Sequence, residues 1–273
     1  MIEGQFAAVA AVRAARPAIE RAALAMEARL TDKGRLIYAG AGTSGRLAVQ
    51  DGAELMPTFS WPRERLVLLI AGGQEALLQA VEGAEDEAKH ALALIKSHKL
   101  ATSDVLIAVA ASGTTPFTLA CLRGAKRNGA LTIGIANNPG TPILAEADHP
   151  ILLDTGSEPI AGSTRMKAGT AQRITLSLLS SLLMIRLGRV YDGLMIDVQA
   201  TNRKLAQRSE TMLIHLTGRN AKDTRTALAE AEGSIKLAML MLKGCDLKEA
   251  KSLLKRSKGQ LRTAIARLEK RAR

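Results

Sequence analysis

The sequence predicts an α/β fold, a three-layer sandwich with a mainly parallel five-stranded sheet, followed by a small C-terminal helical subdomain. Short apolar runs alternate with helical periodicity between residues 35 and 187, which is typical of a parallel sheet covered on both faces. Aromatic residues make up only 2% of the 273 residues, so aliphatic side chains and methionine must fill the core. Beyond residue 192 only helical periodicity remains.

The elements of the sheet region follow in order along the chain. We predict a first helix over residues 5–16 and a second from Pro17, because proline is favoured in a first helical turn. Five strands are predicted at residues 35–39, 65–71, 104–110, 130–135 and 150–154. The helices between and after them are predicted at residues 74–98, 116–128, 143–147 and 164–187. Right-handed crossovers would place all strand-to-helix loops at one edge of the sheet, where ligands of open α/β sheets bind.

The C-terminal part is predicted to be helical throughout. Helices are expected near residues 197–207, 223–231, 234–242, 247–255 and 260–271, separated by glycines. The predicted organisation is therefore N-terminal helices over residues 1–31, a sheet domain over residues 32–192 and a helical region over residues 193–273.

The net charge of +12 is concentrated near the C-terminal end. Residues 242–273 contain 11 Lys and Arg against 3 Asp and Glu, which accounts for +8 of the total. Apolar residues recur there at helical spacing, so we interpret the charge as the solvated face of helices, with an anionic partner left open. The scarcity of aromatic residues argues against a stacking platform for nucleic acid, and we predict no nucleic-acid partner.

The cysteines and the apolar segments indicate the compartment. Cys121 and Cys245 are far apart and lack metal or redox spacing, so we expect buried thiols and a cytoplasmic protein. The most apolar stretch, residues 174–185, falls short of the roughly 20 residues that span a bilayer. The Ala-rich N-terminus is interrupted by charges and lacks the apolar core of a secretory signal. We therefore predict no membrane partner.

A glycine-rich turn, Gly40-Ala-Gly-Thr-Ser-Gly-Arg46, joins the first predicted strand to a helix. Glycines let a backbone approach an anion, and a helix start offers free N–H groups and a positive dipole end. Dinucleotide-binding folds use the same turn, but they need an acidic residue after the next strand to hold a ribose. That strand ends in Ala71-Gly-Gly-Gln74. The hydroxyl groups in the turn favour a compact monophosphate.

Two further segments have similar chemistry. The turn Ala111-Ser-Gly-Thr-Thr-Pro116 precedes another helix, with Thr115 at the N-cap and Pro116 at the first helical position. The run Gly162-Ser-Thr-Arg-Met-Lys167 opens the long helix after the last strand. Three such loops on one predicted edge are explained together by one sugar phosphate. The candidate substrate-binding residues are Gly42, Thr43, Ser44, Gly45, Ser112, Gly113, Thr115, Ser163 and Thr164.

Four runs of sequence resemble the signatures of N-acetylmuramic acid 6-phosphate etherases, which are sugar isomerase (SIS) domain proteins. The runs are residues 40–46, 80–86, 162–172 and 197–202, and the resemblance extends over nearly the whole chain. It implies a SIS-like, phosphosugar-binding sheet domain and a homodimer. It also implies a lyase without cofactors in cell-wall sugar recycling. Such a lyase converts N-acetylmuramic acid 6-phosphate and water to N-acetylglucosamine 6-phosphate and D-lactate by elimination and water addition.

The resemblance also implies two catalytic residues. The family's two catalytic glutamates fall by position on Glu54 and Glu85. Glu54 would protonate the leaving lactate, and Glu85 would handle the proton on the sugar carbon. Two carboxyl groups suffice for this chemistry if their environments separate their pKa values. One departure from the family pattern is Thr114, which stands where the family commonly has Arg.

Two other functions remain open from the sequence. A phosphosugar-sensing regulator of the SIS family would bind the same ligand without turning it over, and an aldose–ketose isomerase would make similar proton transfers without an ether. Release of lactate distinguishes both from an etherase. The four histidines do not have the spacing of metal ligands, so we predict no metal.

Overall fold

The computed structural model of the protein describes residues 2–31, 33–198 and 203–271. The helices are α1 (Ile2–Leu30), α2 (Gly42–Phe59), α3 (Ala88–Ser97), α4 (Pro116–Arg127), α5 (Pro142–Glu146), α6 (Lys167–Arg186), α7 (Arg203–Thr217), α8 (Ala221–Glu230), α9 (Ile235–Leu242), α10 (Leu247–Arg256) and α11 (Leu261–Arg271). The strands are β1 (Leu36–Gly40), β2 (Leu66–Ile70), β3 (Val105–Val109), β4 (Leu131–Ala136), β5 (His149–Leu152), β6 (Val190–Tyr191) and β7 (Leu194–Met195). Short 3-10 helices lie at Arg63–Arg65, Gly73–Leu77 and Ala84–Asp86.

The first five strands form one parallel sheet in the order β2-β1-β3-β4-β5. Every residue of β1 and β3 is buried, which is expected where helices cover both faces of a parallel sheet. From β1 the chain first adds β2 on one side and then crosses to add β3, β4 and β5 on the other side. The strand order therefore reverses between β1 and β3. The predicted fold class is confirmed.

Alternate side chains of β1 serve the two faces of the sheet. Ile37 and Ala39 belong to a core shared with buried residues of α3 and α4. Tyr38 points the other way and donates a hydrogen bond to Asp51 Oδ2 of α2 at 2.7 Å, and Ser180 of α6 donates to Asp51 Oδ1 at 3.1 Å. Burial raises the pKa of Asp51, although the hydrogen bonds from Tyr38 and Ser180 oppose that rise. These bonds fix α2 against the sheet and against α6.

The contacts divide the chain into two compact units. One comprises the chain up to Glu54 together with Pro62–Leu183, and it contains the five-stranded sheet. The other comprises Leu55–Trp61 and the chain from Met184 onward, and apolar residues of α7 to α11 form its core. The domain boundaries predicted from the sequence stay a prediction.

The prediction of two N-terminal helices is wrong, because α1 continues through Pro17. A proline inside a helix removes one backbone hydrogen bond and usually bends or ends the helix. Buried residues recur at helical spacing on both sides of it, including Ala11, Ala15, Ile19 and Ala22. Burial of this continuous apolar stripe offsets the loss of the bond.

The prediction of a helix over residues 74–98 is also wrong, because only α3 at its end is an α-helix. Gly72, Gly73 and Gly83 have positive φ angles of 82°, 66° and 73°, a conformation outside the α-helical region. The apolar residues between them do not form a buried stripe, and Leu78 is 94% exposed. Without burial on one face, the helical pattern of this segment has no tertiary support.

Two details of the C-terminal region also differ from the prediction. Strands do not stop at residue 192, because β6 and β7 form a small antiparallel hairpin. The helix predicted from residue 197 begins at Arg203 among the described residues, and residues 199–202 lie outside them. In the part of the chain that the structure describes, every helix is too short or too polar to cross a membrane.

Candidate functional site

A cavity of about 390 Å³ lies at the carboxyl ends of the neighbouring strands β1 and β3. This is the point where the strand order reverses, and it is the usual ligand position in open α/β sheets. The cavity brings together residues of all three loops predicted from the sequence and one of the two predicted glutamates. Its lining residues are Ala41, Gly42, Thr43, Ser44, Glu85, Asp86, Ala110, Ala111, Ser112, Thr114, Thr115, Pro116 and Thr164.

The first loop follows directly from the end of β1. Gly42 begins α2 with a φ of 53°, and Thr43 and Ser44 lie in its first turn. The first N–H groups of a helix have no partner within the helix, so this turn presents backbone donors and a positive dipole end to the cavity. Gly45 does not line the cavity in the described structure. It packs against Gly40, and its N–H donates to Ala41 O at 3.0 Å.

Gly45→Ala is expected to destabilise the protein. A Cβ at residue 45 would lie 2.8 Å from the carbonyl oxygen of Gly40. Because that atom belongs to the backbone, α2 must move away from β1, at a cost of about 1–3 kcal/mol. Urea unfolding should show a lower midpoint than wild type, whereas Ala53→Ser, at an exposed position of α2, should not. An unchanged midpoint for Gly45→Ala would contradict this close packing.

The second loop presents hydroxyl groups beside the first. Thr115 is the N-cap of α4, but its hydroxyl lies 3.2 Å from Ser112 Oγ and does not cap the helix. Ser112 Oγ also accepts a hydrogen bond from the N–H of Thr114 at 3.2 Å. Gly113 does not line the cavity in the described structure, but its φ of 70° forms the turn that holds Ser112 and Thr114 on the cavity wall. The turn therefore presents three hydroxyl groups to the cavity.

The third loop contributes Thr164 but not the start of a helix. The helix α6 begins at Lys167, and the carboxylate of Glu158 accepts its first N–H groups, those of Lys167 at 3.0 Å and Ala168 at 2.9 Å. The free N–H groups expected at this helix start are therefore occupied by an internal carboxylate. Ser163 is half-buried and does not line the cavity among the described residues. Phosphate contacts of Ser163 and Thr164 stay predictions.

Glu85 and Asp86 reach the cavity from the segment between β2 and α3. Both lie in the 3-10 helix Ala84–Asp86, and both side chains are exposed. The described residues that line the cavity include these two carboxylates and neither lysine nor arginine. An anion bound beside them must therefore be held by N–H and hydroxyl donors. Asp86 and Thr114 are site residues that the sequence-based list missed, although each lies next to a residue on that list.

Glu54 does not line this cavity in the described chain. It is exposed on α2, 12 residues after Gly42. At a rise of 1.5 Å per residue, this places it about 18 Å along the helix from the first loop. One copy of the described chain therefore brings Glu85, but not Glu54, to the three loops.

The last run that carries the family resemblance lies mostly outside the described residues. Of residues 197–202, the structure describes Asp197 and Val198. Asp197 Oδ2 accepts a hydrogen bond from Lys236 Nζ at 2.8 Å and lies 3.6 Å from Arg189 Nη1. Burial lowers the pKa of Lys236, and the charge of Asp197 opposes that shift. This ion-pair cluster fixes the start of the run in the helical unit.

The residues that the structure describes contain no cluster of metal ligands. Nowhere in those ranges do three His, Cys, Asp or Glu side chains come together as a metal site would require.

Comparison with known proteins identifies both the domain type and close relatives. A family model described as SIS domain matches residues 76–182, and one described as glucokinase regulatory protein N-terminal SIS domain matches residues 18–126. The chain is 52% identical over 266 residues to an N-acetylmuramic acid 6-phosphate etherase from Deinococcus radiodurans, covering 97% of this chain and 87% of the relative. Etherases of the same name from Streptomyces avermitilis and Geobacillus thermodenitrificans are 43% and 42% identical. Each covers 97% of this chain, with 86% and 90% of the relative covered.

Proposed function

The chain belongs to the N-acetylmuramic acid 6-phosphate etherase family, and we propose that it cleaves the lactyl ether of N-acetylmuramic acid 6-phosphate. The products would be N-acetylglucosamine 6-phosphate and D-lactate, with water as the co-reactant. The observation that supports this best is the presence of Glu85 in one cavity with three hydroxyl-rich loops. A phosphate held by the loops would place the sugar carbons beside a carboxylate.

Substrate binding would begin at the phosphate. Thr43 and Ser44 at the start of α2 and Ser112 and Thr115 before α4 offer hydroxyl and backbone donors from two sides. Ser44 is 8% exposed, so its hydroxyl bond would form in a site sheltered from water. Sheltered hydrogen bonds to an anion are worth more than exposed ones because water competes less with them.

Glu85 would then act on the ring-opened sugar. Its carboxylate would take the proton from C2, which is acidic because the C1 aldehyde is adjacent. The electron pair left at C2 forms the C2–C3 double bond while the C3–oxygen bond to lactate breaks. Water then adds at C3 and gives its other proton to the carboxylate of Glu54, which has by then protonated the leaving lactate, and a proton returns to C2 from Glu85. A positioned carboxyl group of this kind contributes about 10²–10⁴-fold to the rate.

Glu54 would protonate the lactyl oxygen as it leaves. Because Glu54 lies about 18 Å along α2 from the phosphate loop of its own copy, we propose a homodimer in which a second copy supplies this group. The apolar face of α1 supports a subunit interface. Ile2, Phe6 and Val9 recur at helical spacing, and Phe6 is 64% exposed. Exposed apolar side chains grouped on one face are typical of such interfaces.

We place the reaction in the cytoplasm, where phosphorylated sugars are metabolised. Cys121 and Cys245 are both buried free thiols, which suits a reducing compartment.

Incubation with N-acetylmuramic acid 6-phosphate in ¹⁸O-labelled water containing ²H₂O tests the reaction. We expect D-lactate without ¹⁸O, because the bond between C3 of the sugar and the lactyl oxygen breaks. The sugar product should carry ¹⁸O at C3 and ²H at C2. Binding without lactate would support a phosphosugar-sensing regulator instead. Interconversion of fructose or glucosamine phosphates without lactate would support an isomerase.

A further inference from the structure

Arg46 ends the first glycine-rich loop, where a cation would be expected to contact the phosphate. The structure directs its guanidinium group to another segment. Nε donates a hydrogen bond to the carbonyl oxygen of Ala76 at 2.7 Å, and Nη2 donates to that of Gln79 at 3.0 Å. Arg46 is half-buried and is not among the residues that line the cavity in the described chain. The guanidinium group therefore binds backbone carbonyl groups of the chain between β2 and α3.

The segment that Arg46 contacts carries Glu85. We call residues 73–87 the Glu85 segment. Ala76 is its one buried residue among the described positions, and Ala84 packs partly against the core, while the other side chains are exposed. Glycines with positive φ angles stand at its start and directly before the 3-10 helix that bears Glu85. A segment with so little burial depends on its few polar anchors for a defined position.

We propose that Arg46 is a positioning residue that holds the Glu85 segment at a fixed distance from the phosphate loop. This inference rests on the proposed function for the role of Glu85. Residues 42–44 and Arg46 belong to the first turns of one helix, α2. Donors at 42–44 face the cavity, whereas the guanidinium of Arg46 reaches the segment that carries the base. The planar guanidinium donates in a fixed fork, so its two bonds define both distance and orientation.

If Arg46 has this role, its loss should lower kcat and leave KM nearly unchanged. Loss of Arg46 removes no group from the phosphate site, so substrate affinity should change little. It releases the base, and a misplacement of about 1 Å can lower the chemical step by about 10²-fold. A phosphate ligand would behave in the opposite way, because its loss raises KM and leaves kcat nearly unchanged.

The test compares Arg46→Met, Arg46→Lys and the control Arg123→Met. Arg123 also donates two hydrogen bonds, to Glu146 at 2.6 and 2.7 Å, but does not contact the Glu85 segment. We expect kcat for lactate release to fall about 10²-fold in Arg46→Met, with KM within about threefold of wild type. Arg46→Lys should fall in between, because an ammonium group can reach one carbonyl but cannot reproduce the fork. Arg123→Met should keep wild-type kinetics.

Amide hydrogen exchange of residues 73–87, measured without substrate, gives a readout independent of activity. Exchange should accelerate about tenfold or more in Arg46→Met and stay at the wild-type rate in Arg123→Met. A rise in KM with unchanged kcat, or unchanged exchange in Arg46→Met, would overturn the proposal. If wild-type protein released no lactate, the proposed function would fail. The hydrogen-exchange measurement would then still test whether Arg46 anchors the Glu85 segment.

Discussion

Glu85→Gln is expected to abolish most lactate release while leaving phosphosugar binding close to wild type. Glu85 is one of two carboxylates in the cavity, and a carboxamide of the same shape cannot accept the proton from C2. Loss of a general base typically lowers the rate by about 10²–10⁴-fold. Binding should persist because the donors proposed to hold the phosphate are hydroxyl and N–H groups of the loops, which this substitution leaves in place.

Two measurements and one control test this prediction. Calorimetric titration of Glu85→Gln with N-acetylmuramic acid 6-phosphate should give a dissociation constant within about threefold of the wild-type KM. Lactate release should be followed in parallel over hours. Glu82→Gln is the matched control, because Glu82 lies on the same segment but does not line the cavity in the described structure. Substantial turnover by Glu85→Gln would remove this residue from the proton transfer, and loss of binding would mean that it holds the sugar.

The sheet and its loops could be predicted from the sequence because their signals are local. Each strand is a short apolar run, and each loop combines glycine with hydroxyl residues between a strand and the helix that follows it. Parallel strands then place the loops at one edge, whatever the details of packing. The predicted positions of these loops are confirmed for Ser44, Ser112 and Thr164, which line one cavity.

Features that depend on packing could not be predicted in this way. Helical periodicity over residues 74–98 has the same spacing as in a real helix, but among residues 74–87, all of which the structure describes, Ala76 is the only buried apolar residue. Pro17 looks like a helix start until the buried stripe on both sides of it is known. The roles of Glu158 and Arg46 depend on partners 9 to 33 residues away in the chain. No motif specifies such contacts.

The position of Glu54 shows why the two glutamates proposed to be catalytic cannot be placed from spacing alone. Glu54 and Glu85 both lie close in sequence to elements of the cavity, yet only Glu85 reaches it in one copy. The hydrogen bonds of Asp51 to Tyr38 and Ser180 hold α2 one turn before Glu54, so a large shift of this helix would break them. In the proposed mechanism, a second copy of the chain is therefore the simpler source of the acid.

Mixing two inactive variants should therefore restore activity. Glu54→Gln and Glu85→Gln should each release little lactate as a homodimer. In a two-fold symmetric dimer whose sites combine Glu54 of one copy with Glu85 of the other, a mixed dimer has one intact site and one doubly altered site. Random exchange of equal amounts produces mixed dimers in half of the population. Lactate release should then recover to about one quarter of the wild-type rate.

The recovery depends on subunit exchange, and this supplies the control. Variants combined at low concentration, allowed to exchange and then concentrated should recover activity, whereas variants combined immediately before the assay should not. Phe6→Glu in both chains should abolish the recovery, because a charge on the exposed face of α1 would oppose the proposed interface. Light scattering reports the dimer directly. Absence of recovery in dimers that demonstrably exchange would place Glu54 and Glu85 of one site in the same copy, and α2 would then have to move for the reaction to occur.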